Sequence, residues 1–403
     1  MTSIGSSAGS SATWRPASAR GVAIAAALIA GSARTAAADP YRLRADALAA
    51  VQAPAGLLVL QAEGEPGEQV GAEALVWLGA GEEGEARALV VAVRVHRPSG
   101  RAEARLGRFV LVAGGLAPHH IDGGQGRVRL PYRFAIEAFA GSPVAEGQDG
   151  RRFDWLAGGR VSRALGDWGS AGIAYLHRRD GGQLADEEVA ADASGAVNRW
   201  LDLSAHAALD TIQVGLAEAQ AAAGARLGDW RFELYGVERS PSRLLPATSL
   251  FSVLGDRRSR RLGTQVRWRA APRLDLFADG GALGAAGEWG ELMAARALLR
   301  LDDRGDGALG AELRREWAPG GGWTGARATA RVPIGVLVIA LEGELVMPEH
   351  ADGEGTLWPW GLAGVSRTFG RWEAAAAIEA SASPEYEHRV DGIARLSSRW
   401  ELP

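Results

Sequence analysis

The sequence predicts an all-β chain: a single transmembrane antiparallel up-and-down β-barrel of about 18 strands, with about 16 to 20 as the working range. Three observations predict it. Apolar and polar residues alternate with a period of two through much of the chain, the period at which successive side chains of a strand fall on opposite faces. A secretory leader stands at the start. After that leader no run of about 18 apolar residues occurs, so a crossing by helices is excluded, and strands can cross lipid only as a closed barrel.

Residues 1–38 have the parts of a signal peptide. Arg15 and Arg20 precede an apolar run over 21–30, and the small-residue site Ala36-Ala37-Ala38 stands before Asp39-Pro40. The apolar run is shorter than the roughly 20 residues a spanning helix needs, so cleavage is expected. That leaves 39–403 as one barrel, 365 of the 403 residues.

The first strand follows at once. Arg42, Arg44 and Asp46 alternate with Tyr41, Leu43, Ala45 and Ala47, so no separate domain is expected ahead of the barrel. Further on, Val128, Leu130, Tyr132, Phe134 and Ile136 alternate with Arg127, Arg129, Arg133 and Glu137, and Trp230, Phe232 and Leu234 with Arg231, Glu233 and Arg239. From Arg261, Leu262, Thr264, Val266 and Trp268 oppose Gly263, Gln265, Arg267 and Arg269. The turn Ala270-Ala271-Pro272 then leads into Leu274, Leu276 and Ala278.

The C-terminal half repeats the pattern. Leu337, Ile339, Leu341 and Leu345 oppose Val338, Ala340, Glu342 and Glu344 after the turn Pro333-Ile334-Gly335. Trp372, Ala374, Ala376, Ile378 and Ala380 oppose Glu373 and Glu379; this run is alanine-rich, but flanking Gly370 and Pro384 favour a strand over a helix. Val390, Gly392, Ala394, Leu396, Ser398 and Trp400 oppose Arg389, Asp391, Arg395, Ser397 and Arg399 in the last strand. Counted back from the C-terminus, short connections (369–371, 333–335, 270–272) alternate with longer ones (348–355, 280–287, 240–260), as periplasmic turns and surface loops should. Residues 180–196 break that alternation, which implies a strand hidden around 208–250 or a long loop at the short-turn end. Trp77, Trp155, Trp168, Trp200, Trp230, Trp268, Trp323, Trp358, Trp360, Trp372 and Trp400 stand near expected strand ends, where an interfacial girdle places them.

Composition narrows the function. All 44 basic residues are arginine, and after removal of Arg15, Arg20 and Arg34 with the leader 41 of them face 48 acidic residues, a balance that does not suit a nucleic-acid partner. Without Cys the chain has neither a disulfide framework nor a lipid-attachment site. Without Lys it has no phosphate-binding P-loop. The Gly-x-Ser-x-Gly match at 5–9 lies in the leader, away from any strand-to-helix turn, and carries no catalytic meaning. His119-His120 is the one close histidine pair, has no carboxylate at ligand spacing and reads as part of a solvated loop rather than a metal site. No enzyme, cofactor or metal is expected, although an outer-membrane hydrolase assembled across strands would leave no spacing to find.

The arginine rows on the wet faces carry the functional expectation. Arg42, Arg44, Arg127, Arg129, Arg133, Arg267, Arg269, Arg327, Arg331, Arg389, Arg395 and Arg399, with Glu342 and Glu344, would line a charged, water-filled lumen; the alternative is that they pair with acids to hold a narrow barrel shut. The segment 241–255 contains Leu244, Leu245, Leu250 and Phe251, too apolar to lie in water, and is expected either to fold inward as a constriction or to hold the missing strand.

At Arg105-Leu106-Gly107-Arg108-Phe109, then Ile121-Asp122-Gly123 and Arg127-Val128-Arg129, the chain resembles a strand-loop-strand of Gram-negative outer-membrane porin-type barrels, over about 30 residues. The resemblance implies a passive channel for small hydrophilic solutes or anions. Its alternatives are the barrel of a polysaccharide-export system working with periplasmic export proteins, or a structural or enzymatic barrel. It also implies outer-membrane lipid and the barrel-insertion machinery as partners. Such barrels end on an aromatic residue, whereas here Trp400 is followed by Glu401-Leu402-Pro403.

Overall fold

The alternation does build strands, each pairing with the next in sequence. A computed structural model describes residues 41–402 except 51–55, 65–68, 81–84, 145–153, 241–257, 286, 319–320, 350–356 and 384–385. Twenty-two strands form one sheet. The first eight are β1 (Tyr41–Ala50), β2 (Gly56–Glu63), β3 (Val70–Ala80), β4 (Glu85–His96), β5 (Ala102–Leu111), β6 (His119–Arg129), β7 (Phe134–Pro143) and β8 (Trp155–Leu165). Then come β9 (Gly169–Asp180), β10 (Gln183–Asn198), β11 (Leu201–Asp210), β12 (Gly215–Leu227), β13 (Trp230–Arg239), β14 (Ser259–Ala271) and β15 (Leu274–Ala285). The wall is completed by β16 (Glu288–Arg300), β17 (Ala308–Ala318), β18 (Gly321–Ile334), β19 (Leu337–Glu349), β20 (Trp358–Phe369), β21 (Trp372–Ser383) and β22 (Tyr386–Leu402). Antiparallel pairing of β1 with β22, from Tyr41 opposite Leu402 to Ala50 opposite Ile393, closes the sheet and removes both edges.

The strand number exceeds the expected 16 to 20 because connections are short at both ends of the barrel; the longer one expected over 280–287 is strand as far as Ala285, and β16 resumes at Glu288. Two-residue turns at 181–182, 199–200, 228–229, 272–273, 335–336 and 370–371 join neighbouring strands, the first of them at the opposite end. The irregularity at 180–196 disappears, since 183–198 is a strand of 16 residues, β10, entered through the positive-φ pair Gly181-Gly182. The run 127–137 is a hairpin rather than one strand. Pro131 offers no N–H to a ladder, and Tyr132 and Arg133 turn the chain at φ 59° and 65°. In the 301–307 turn the Asp302 carboxylate accepts the Gly307 and Asp306 N–H groups at 2.6 and 3.0 Å, which holds its pKa below the ordinary aspartate value.

Two faces follow from the register. Paired residues share a face, and the pairing continues round the barrel with a local register shift in six of the strand pairs. One face carries Leu313, Ile173, Ile378 and Leu341, exposed by 65%, 64%, 61% and 50%. Large apolar side chains so open are a liability in water and ordinary against lipid. At the end with the chain termini this face closes with Phe134, Trp230, Phe232, Trp268, Phe369, Trp372 and Trp400, an interfacial girdle. Trp230 stacks on Trp268 at 4.9 Å, and Trp372 meets Trp400 edge to face at 5.8 Å. Trp77, Trp323, Trp358 and Trp360 depart from the expected girdle: their registers put them on the other face, beside Val59, Pro348, Val346 and Glu344.

Candidate functional site: the lumen

The second face is identified as the lumen by a segment that crosses it. Residues 112–118, between β5 and β6, reach strands four to five positions away, which is possible only along the concave side. Ala113 and Leu116 are buried in one cluster with Phe109, Leu111, Ile121, Phe139, Leu156, Leu176, Ala190 and Ala208. The Ala117 N–H points at Glu188 Oε2 at 3.5 Å. Gly114, at φ +59°, lies on the bidentate pair in which Arg160 donates to Asp192 at 2.5 and 3.0 Å; a Cβ there would fall 2.3 Å from Asp192 Oδ2. The wall bends to receive this segment. Gly107, Gly123 and Gly141 are cross-strand neighbours, and a Cβ on any of them would strike main-chain atoms of the next strand, at 2.1 Å for Gly107.

The sequence-predicted residues divide as follows. Arg42, Arg44, Arg127, Arg129, Arg267, Arg269, Arg327, Arg331, Glu342, Glu344, Arg389, Arg395 and Arg399 share the lumen face. Arg133 does not; it sits in the 131–133 turn and pairs with Asp167 at 3.1 Å. Leu244, Leu245, Leu250 and Phe251 lie outside the described residues. His119 and His120 open β6 rather than a loop and point to opposite faces, with His120 Nε2 2.6 Å from the Leu89 carbonyl.

Many of these arginines meet a carboxylate on the same or a neighbouring strand. Arg44 pairs with Asp46 at 2.5 Å and Arg389 with Asp391 at 3.7 Å; Arg327 pairs with Glu342 and Arg395 with Glu373, and Glu344 is met by Arg314 of β17, two strands away. Pairs open to water each contribute about 0–1 kcal/mol, so their main effect is on the field a solute meets.

That field is uneven. Asp186, Glu188, Asp192, Asp202, Asp210 and Glu218 place an acidic quarter on β10–β12, with His206 3.7 Å and Arg239 2.8 Å from Glu218. The neighbouring quarter is basic: Arg231, Arg261, Arg267, Arg269, Arg296 and Arg300 stand against Glu233, Asp275 and Asp279 on β13–β16. There Asp275, only 1% exposed, is shared by Arg267 at 3.3 Å, Arg269 at 3.8 Å and Arg300.

Sequence reading missed the 112–118 segment, although the criterion applied to 241–255 would have found it: Val112, Ala113, Leu116, Ala117 and Pro118 are likewise too apolar for a solvated loop. It also missed the basic quarter as a unit, because Arg231, Arg267 and Arg296 fall into one row only through pairing across four strands, β13 to β16.

These features define a closed antiparallel barrel with an apolar belt and a charged interior, the architecture of outer-membrane barrels, and solved structures agree. The P pilus usher (PapC) translocation pore superposes with a TM-score of 0.51 at 9% identity, over 90% of this chain and 99% of that one. The siderophore receptor PirA from Pseudomonas aeruginosa gives 0.52 at 10% identity, over 91% and 81%. An E. coli P pilus tip assembly intermediate containing PapC gives 0.54 at 10% identity, over 90% of this chain and 61% of that one. No family model matches the sequence, and no curated protein does. Identities this low establish a shared fold.

Proposed function

We propose that the protein is an outer-membrane channel that passes small hydrophilic solutes and anions through its charged lumen, as a conduit rather than an enzyme. One observation carries this: a 22-strand wall with charged residues on its inner face encloses, among the described residues, only the seven-residue segment 112–118. Strands spaced about 4.8 Å apart and tilted about 40° give a backbone diameter of roughly 44 Å for a circular section. Barrels of about 22 strands usually hold a plug, and the described residues provide none. The proposal includes export of residues 39–403 by a cleaved leader, insertion by the barrel-assembly machinery and residence in outer-membrane lipid.

Liposome swelling tests it. Vesicles containing the folded barrel are expected to swell in arabinose and glycine; no swelling in either would overturn the channel reading. Arg129→Glu with Arg267→Glu is expected to move the zero-current potential towards cation selectivity, because fixed charge on the wall sets the local counter-ion population.

The width also favours a second reading, the barrel of a polysaccharide-export system with periplasmic partners. Swelling in oligosaccharides of graded length separates the two: a cutoff near a disaccharide supports the small-solute channel, and passage of long oligosaccharides supports export.

A further inference from the structure

The basic quarter contains a wall pocket of about 440 Å³ lined by Arg231, Arg267, Arg296 and Phe277 and by the carboxylates Glu233, Asp279 and Glu312. The register makes them a row across the lumen. Arg226 stands opposite Arg231, Arg231 opposite Arg267, Arg267 opposite Phe277, and Phe277 opposite Arg296. Like charges directly opposite one another across strands are unfavourable, and here three arginines stand side by side. The local acids offset them only in part: four carboxylates, Glu233, Asp275, Asp279 and Glu312, stand against seven arginines, Arg226, Arg231, Arg261, Arg267, Arg269, Arg296 and Arg300. Glu233 lies 3.4 Å from Arg231, Glu312 lies 2.8 Å from Arg296, and Arg267 shares Asp275 with two other guanidiniums. Asp279 is already engaged by Arg261 and the Tyr235 hydroxyl at 3.1 and 2.9 Å.

We propose that this pocket binds a small organic anion with a flat apolar body, of the aryl-carboxylate class. The proposal rests on the lumen being a solute path and names what that path recognises. A guanidinium fork matches a carboxylate with two parallel N–H donors, so an anion placed between Arg231 and Arg267 relieves the repulsion between them. The aryl body follows from Phe277. Its ring stands between the Arg267 and Arg296 guanidiniums, 5.4 and 5.8 Å from its centroid, and remains half-exposed to the lumen. A ligand ring meets an aromatic edge or face there, with the charged planes on either side. A bare inorganic anion would leave that apolar surface in water.

Titration calorimetry on the detergent-refolded barrel tests this without reference to conduction, with phenylacetate, acetate and phenethylammonium as probes. Wild-type protein is expected to bind phenylacetate about tenfold more tightly than acetate and to give no heat with phenethylammonium, which has the same body and the opposite charge. Arg231→Gln and Arg267→Gln are each expected to weaken phenylacetate by about tenfold, the effect of losing one charge-assisted pair. Phe277→Leu keeps every charge and is expected to weaken phenylacetate while leaving acetate unchanged. Heat-modifiable gel migration reports that each variant is folded. Equal affinity for phenylacetate and acetate, or no binding by folded wild-type protein, overturns the proposal. A barrel that binds phenylacetate but fails to swell liposomes keeps the pocket and removes the channel; one that swells them without binding does the reverse.

Discussion

Leu341→Arg is expected to destabilise the barrel by about 2–4 kcal/mol in a phosphatidylcholine bilayer, the cost of a charge near mid-membrane on a lipid-facing strand position. Leu341 lies in the middle of β19, between Ala330 and Ala363 on the outer face, and is half-exposed. The adjacent Ala340 points into the lumen beside Arg331 and Gly364, and Ala340→Arg is expected to cost less than about 1 kcal/mol because the new charge stays in water. Urea titrations of folding into vesicles measure both. Equal costs at 340 and 341 would mean that the two faces of β19 are not in different solvents.

Phe109→Ala is expected to cost about 3–5 kcal/mol, as for other buried aromatic truncations, and to release the segment that narrows the lumen. Phe109 is fully buried, the Arg105 guanidinium lies 4.4 Å from its ring centroid, and it belongs to the cluster that seats Ala113 and Leu116. Loss of that seat frees 112–118 from the wall. Planar-bilayer recordings of the variant should show a larger and noisier conductance than wild type. A destabilised barrel with unchanged conductance would show that the segment does not limit the path.

Much of the fold was legible in the sequence, for a physical reason. Where the alternation stays within one strand, as in Leu337–Leu345 or Trp372–Ala380, the observed register keeps the expected faces. Two of the strands that escaped, β10 and β12, have alanine on their outer face. In β10, Ala191 and Ala193 face outward, and in β12 Ala219, Ala221 and Ala223 do, so the contrast between faces is weak and helix propensity obscures the period. The lumen was legible only in part. Which arginines face inward follows from parity along each strand. Which carboxylate each one meets, and where arginines gather without enough acids, depends on register between strands, which no single-strand pattern encodes. The run 127–137 misled for a related reason: its parity continues smoothly through a turn, so Arg133 looked like a wall residue.

Alternate residues of the closed wall meet lipid and water, and nitroxide labels at positions 339 and 342 of β19 test this most directly. Ile339 pairs with Val332 and Val365 on the outer face, whereas Glu342 pairs with Thr329 and Leu362 in the lumen. In reconstituted vesicles the label at 339 is predicted to relax with oxygen and ignore a water-soluble nickel chelate, and the label at 342 to do the opposite. The same response at both positions would contradict the barrel's division into a lipid face and a wet lumen.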